Sequence, residues 1–288
     1  MHKRITFCLS IVIAFTASAQ TITLCGEGSN QADKPISVAA DLGTGSAGCG
    51  KTPPVSGQPT TIDVDGTARQ YILTLPDNYD PKHPYILIFV PHPWGGNMQG
   101  TVSNGYFGMK SVSDNKAILV APTGIDNAFF NQGGRDIKFF KAMLERFNST
   151  LCVDQKRIFS TGFSFGGMMS FAVGCAMPDK FRAIAPNSGS FVSGCDTSNP
   201  RPIAVIQSHG KSDTVMSIAE GNKARDYFLK LNGCSNETKP IEPAAGNCVE
   251  YQGCKEGYPY IYCAFDGGHA PQNWQAPMIW KFFTETLK

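Results

Sequence analysis

Residues 158–170 read "IFSTGFSFGGMMS". An apolar run leads into Gly162-Phe163-Ser164-Phe165-Gly166, a G-x-S-x-G pattern, and a helix-like stretch, "FGGMMSFAVGCAM", follows and stops before Pro178. A serine on a sharp strand-to-helix turn has its side chain lifted clear of the backbone, provided its neighbours let strand and helix pass closely. Gly166 and Gly167 meet that need, and the start of the helix favours negative charge nearby. In a chain with 30 glycines the pattern alone is a weak signal. Its setting between a predicted strand and a predicted helix gives it weight.

Strands and helices alternate on both sides of this turn. "TIDVDGTARQYILTL" has two β-rich runs around Asp65-Gly66 and predicts a hairpin. "YILIFVPH" and "AILVAPTG" are short apolar runs of buried-strand type. "DIKFFKAMLERF" has helical spacing, with Asp136 in the N-cap position. Beyond the serine, "FRAIAPNSG", "PIAVIQSHG" and "YPYIYCAF" predict strands, and "AEGNKARDYFLKLNG" and "PMIWKFFTETL" predict helices. The expected fold is α/β: a mostly parallel sheet covered by helices on both faces, after an antiparallel hairpin. The 15 residues 188–202 form the only insertion between the last core strands. They are too few for a cap domain, so a site at the serine is expected to be open.

The chain has 288 residues, 42% of them hydrophobic, ample for one large core. Residues 1–19 are set apart from it. "MHKR" is a basic start, "ITFCLSIVIAF" an apolar run too short to span a bilayer comfortably, and Ala17-Ser18-Ala19 a small-residue cleavage site. They predict a secretory signal. Residues 20–46 read as a loosely structured lead-in, and 47–288 as a single catalytic domain. Loss of the signal removes Lys3 and Arg4, which brings the net charge to about zero. No basic field remains to hold nucleic acid, and a neutral or weakly charged substrate fits better. Of the ten cysteines, Cys8 leaves with the signal. Nine in a secreted chain predict disulfides with one thiol over, and their spacings do not read as a zinc site. Asn148 and Asn236 head N-glycosylation triplets and are expected at exposed positions.

A serine nucleophile needs a base and an acid to orient it. His209 and His269 are the histidines that follow Ser164. His209 closes a strand in "IQSHGKSDTV" and reads as structural, while Asp213 falls on the loop beyond it. His269 lies just past the next strand, in "AFDGGHAPQNW". Ser164, Asp213 and His269 thus stand in serine–acid–histidine order, each beyond a strand's carboxyl end, where open α/β sheets bind ligands. An acyl transfer also needs donors for an oxyanion. The N–H of Phe165 is one, and in "PHPWGGNMQG" Trp94 is the better second donor because Pro93 has no N–H. Trp94, Phe129, Phe130, Phe163 and Phe165 are candidates to flank a planar ring, with Trp94 and Phe165 nearest the serine by position. Each also has a plain reading: solvated carboxylate or helix cap for Asp213, surface loop for His269, packed core for the aromatics.

Together "GCGK", "YILIFVPHPWGG", "APTGIDNAFFNQGGRDIKFF", "LCVDQKRIFSTGFSFGGMMS", "SHGKSDTV" and "FDGGHAP" resemble secreted feruloyl esterases, a carbohydrate esterase group related to polyhydroxybutyrate depolymerases. The resemblance covers about residues 47–288. It implies an α/β-hydrolase fold with Ser164 as nucleophile, His269 as general base and Asp213 as its orienter, and no metal or organic cofactor. It implies release of ferulic or related acids from arabinoxylan or pectin, by an extracellular monomer or weak oligomer with no nucleic-acid or membrane partner. Family members often carry a glycine or an aromatic residue where Pro93 stands. Cys25 falls outside the match and is the first candidate for the odd thiol. Acetylxylan esterase and polyester depolymerase share the same triad. A serine peptidase fits less well without a propeller or cap, and a non-catalytic glycan-binding protein less well with all three reactive residue types present.

Overall fold

A computed structural model describes residues 7–13, 20–26, 45–198, 200–242 and 246–287. Two compact units divide it, residues 1–42 and 43–288. In the first, strands β1 (Phe7–Ile13) and β2 (Gln20–Gly26) form an antiparallel pair. Residues 1–6, 14–19 and 27–44 of the expected signal and lead-in lie outside the described residues, as does the side chain of Cys25.

The second unit is built on one ten-stranded sheet. Its strands are β3 (Pro59–Val64), β4 (Thr67–Thr74), β5 (Tyr85–Phe89), β6 (Ala117–Pro122), β7 (Val153–Phe163), β8 (Ala183–Asn187), β9 (Ala204–Gly210), β10 (Thr238–Ile241), β11 (Cys248–Tyr251) and β12 (Tyr260–Phe265). They lie in the order β10-β11-β12-β9-β8-β7-β5-β6-β4-β3. The six from β12 to β6 run parallel, and a pair at each edge runs antiparallel. The hairpin expected at Asp65-Gly66 forms there, both residues taking positive φ as a tight turn demands. The edge hairpin β10–β11 was not expected. Its strands have four residues each, too few for a pattern, and exposed Lys239-Pro240 keeps the outer edge from pairing further.

The central strands are apolar throughout because helices cover both faces. Leu87 and Phe89 of β5 point to one face, among side chains of α3 (Arg135–Thr150), α4 (Phe165–Ala176) and α5 (Ile218–Asn232). Ile86, Ile88 and Val90 point to the other, under α1 (Met98–Ser103), α2 (Met109–Ser113) and α6 (Gln275–Lys281). Asp136 is not the N-cap of α3. Gly134 occupies that place, and Asp136, fully buried, meets Arg69 of β4 at 2.6 Å. Asp136 also accepts the Asn131 N–H, and the Asn131 side chain accepts from the N–H groups of Asp136 and Ile137. A buried carboxylate is tolerated only when paired and hydrogen-bonded in this way.

Four disulfides join the eight cysteines from Cys49 onward: Cys49–Cys152, Cys175–Cys195, Cys234–Cys254 and Cys248–Cys263. Asn236 is exposed in the loop after α5. Asn148 departs from expectation: it is half-buried on α3, with its Oδ1 enclosed.

Candidate active site

β7 delivers Ser164 to the first turn of α4. The residue has φ 56° and ψ −119°, a costly conformation for any side chain, held by its N–H donating to Asn187 O at the end of β8 (2.9 Å). Close packing explains Gly166: a Cβ there would sit 2.0 Å from Pro91 O. The serine is only 8% exposed, because His269 lies over it.

β9 and β12 are parallel neighbours, so the loops that follow them meet at the same rim. Lys211 N–H donates to Phe265 O and Ser212 N–H to Gly267 O, which ties the Asp213 loop to the His269 loop. The result is a continuous relay. Ser164 Oγ lies 2.9 Å from His269 Nε2, and His269 Nδ1 lies 2.7 Å from Asp213 Oδ2. The carboxylate calls for the imidazole proton on Nδ1, leaving Nε2 to accept from the serine hydroxyl. Asp213 Oδ1 accepts from the N–H groups of Val215 (3.0 Å) and Met216 (2.8 Å), so the buried carboxylate is fixed at both oxygens. A hydroxyl, imidazole and carboxylate so arranged can generate a nucleophile and return the proton to a leaving group.

The turn 91–96 packs against the first turn of α4, bringing Trp94 to the serine's side of the sheet. His92 holds this turn from inside. Its Nδ1 donates to Pro93 O (2.7 Å), its Nε2 accepts the Gly124 N–H (3.0 Å), and its ring lies 4.7 Å from that of Phe129. Burial pushes the His92 imidazole below the ordinary histidine value, so it stays uncharged. Nothing in the sequence pattern distinguished this histidine from a surface one.

The five aromatic candidates separate. Phe129 is fully buried and belongs to the core. Phe163 is half-buried against the His269 ring at 4.7 Å. Phe165 is buried, with Phe130 edge-on at 4.9 Å and Trp94 tilted at 6.1 Å. Trp94 is 70% exposed and Phe130 41%. Phe130 is held from both sides along the chain. Ser193 Oγ donates to Phe129 O (2.6 Å), and Asn131 Nδ2 donates to Ser193 O (2.9 Å). Residues 191–193 of this clamp are in turn anchored to α4 through Cys175–Cys195. No sequence signal marks these long-range bonds. Among the described residues, no group of three or more His, Cys, Asp or Glu is placed to hold a metal ion, and no helix is long and apolar enough to cross a membrane.

The sheet order, with a serine–imidazole–carboxylate relay at its carboxyl edge, is that of the α/β-hydrolase class, and the relatives make the protein a carboxylic ester hydrolase. Residues 125–250 match the Phospholipase/Carboxylesterase family model. Feruloyl esterase D of Neurospora crassa is 39% identical over 242 residues, covering 79% of this chain and 83% of that protein. A probable feruloyl esterase C of Aspergillus terreus is 39% identical over 252 residues, covering 83% and 91%. The chain belongs to this feruloyl esterase family. A solved acetyl xylan esterase from Aspergillus awamori shares the fold, with a TM-score of 0.63 at 15% identity over 79% of this chain and all of that one.

Proposed function

We propose that the protein hydrolyses esters of ferulic and related hydroxycinnamic acids on plant cell-wall polysaccharide such as arabinoxylan, outside the cell. The observation that carries this reading is the relay of Ser164, His269 and Asp213 next to the aromatic cluster of Phe165, Phe130 and Trp94. Membership of the feruloyl esterase family supports the choice of acyl group. Four disulfides and the basic–apolar–small pattern of residues 1–19 support secretion.

In the mechanism, His269 Nε2 takes the hydroxyl proton as Ser164 Oγ attacks the ester carbonyl. The N–H groups of Phe165 and Trp94 receive the oxyanion. His269 then protonates the departing sugar oxygen, giving the feruloyl-serine ester. Water attacks that ester with His269 again as base, which releases the acid and restores the serine. Asp213 holds the imidazole in the Nδ1–H tautomer and stabilises its charged form.

Ser164→Ala should reduce turnover of methyl ferulate by a factor on the order of a million. Retention of a tenth of wild-type activity would remove the serine from the mechanism. Release of acetate from acetylxylan, or of hydroxy acid from polyhydroxybutyrate, with methyl ferulate untouched, would keep the relay and reassign the substrate.

A further inference from the structure

One buried histidine has no part in the mechanism above. His209 ends β9, and its side chain is wholly inaccessible. Its Nε2 lies 2.7 Å from Met216 O and 3.5 Å from Asp213 Oδ2. Both neighbours are acceptors, so Nε2 carries the proton. Its Nδ1 is buried without a hydrogen-bond partner among the described residues. That nitrogen faces α5 at Gly221, where a Cβ would stand only 2.4 Å away. The helix thus passes the ring with bare backbone, and the ring fills the space between α5 and the turn 213–216.

We propose that His209 is a positioning residue for the relay. As the neutral Nε2–H tautomer it closes the turn 213–216 through Met216 O and sets the polar edge of its ring 3.5 Å from Asp213 Oδ2, which keeps that oxygen aimed at His269 Nδ1. This role rests on the assignment of Ser164, His269 and Asp213 made above. The turn contributes the two N–H groups that hold Asp213 Oδ1, those of Val215 and Met216, so the bond to Met216 O fixes the whole carboxylate cradle.

Two features keep His209 neutral. Protonation would place an N–H at buried Nδ1 with no acceptor, and burial holds the imidazole below the ordinary histidine value. The titratable groups that face it are Asp213 and His269; β12 sets Ala264 beside it and α5 sets Gly221. A cation at residue 209 would compete with protonated His269 for the same carboxylate. A neutral ring supports the carboxylate without that competition. His92 holds the opposite tautomer, Nδ1–H, which gives an internal reference.

The test uses 4-nitrophenyl acetate, so that the relay is read independently of the natural acyl group. His209→Leu should lower kcat roughly 10- to 100-fold through misplacement of Asp213, with KM within about twofold. The acid limb of kcat/KM should move to higher pH, because a carboxylate without that polar ring edge beside it holds the protonated imidazole more tightly. His209→Gln, whose amide N–H reaches where Nε2–H did, should restore both. Loss of kcat with the acid limb unmoved and no rescue by Gln would reduce His209 to packing. Wild-type kcat in the Leu variant would end the proposal. ¹⁵N-histidine NMR of the wild-type protein gives a reading that does not depend on the Leu variant folding. One ring, absent from the Gln variant, should be Nε2–H at neutral pH and titrate below the ordinary histidine value. A ring at residue 209 that is Nδ1–H, or that titrates at or above the ordinary histidine value, overturns the inference. Failure of the underlying relay is seen separately, as Ser164→Ala retaining activity on the same ester.

Discussion

Phe130→Ala separates recognition of the acyl group from the chemistry. The ring is 41% exposed and rests edge-on against Phe165, the residue that follows the serine. Taking a Phe side chain as about 200 Å², the open part is about 80 Å², and covering it with a planar acyl group contributes about 2 kcal/mol. That corresponds to roughly a 30-fold loss in kcat/KM for methyl ferulate on removal of the ring. An acetyl group is too small to cover Phe130, so kcat/KM for 4-nitrophenyl acetate should stay within about twofold. The measured quantity is the ratio of the two values in wild type and variant, under identical conditions. A parallel fall on both esters would mean that the ring only supports the loop. An unchanged ratio with full activity would place the aryl group elsewhere.

Asp213→Asn should lower kcat by about four orders of magnitude with little change in KM, since the wrong imidazole tautomer results; a change confined to KM would make Asp213 a substrate contact. Gly166→Ala forces a Cβ to within 2.0 Å of Pro91 O, so the oxyanion turn must move away from α4. Thermal melting should fall by several degrees and kcat with it, and a variant with native melting and activity would contradict the packing described. His92 and His209 are both held below the usual 6.5 by burial, so below about pH 6.5 the unfolded chain binds more protons than the folded one. Their contribution to stability is whole above that value and is lost as pH falls toward the folded-state values, by up to ~1.4 kcal/mol per pH unit each. Urea unfolding between about pH 7 and pH 5 reads the slope, which His209→Gln should reduce; equal slopes in both proteins would refute this account.

The parallel core and the order of Ser164, Asp213 and His269 were legible because each depends on short-range pattern. Apolar runs mark buried strands, and each reactive residue sits within a few positions of a strand's end. What stayed hidden depends on distance in the chain. Asp136 reads as a helix cap until Arg69, far away in sequence, is folded against it. Phe130 is indistinguishable from its buried neighbour Phe129 until Ser193 and Asn131 fix which ring faces solvent. His209 reads from the sequence as structural, holding its loop by hydrogen bonds; that Nε2 bonds Met216 O while Nδ1 has no partner among the described residues depends on the fold. The helices α1 and α2 and the strands β10 and β11 are too short for either period to register.

The disulfides divide the chain in a way that bears on its fate among proteases. Cys49–Cys152 joins positions 103 residues apart, so a single nick between them opens a covalent circle and releases nothing. The remaining circles run from residue 175 to 195, from 234 to 254 and from 248 to 263. Ser164, Asp213 and His269 all lie on the stretches between or beyond these circles. A cut between Ser164 and His269 that falls outside these circles separates the nucleophile from part of its relay, whereas the stretch 49–152, with Trp94 and Phe130 on it, stays linked after cleavage.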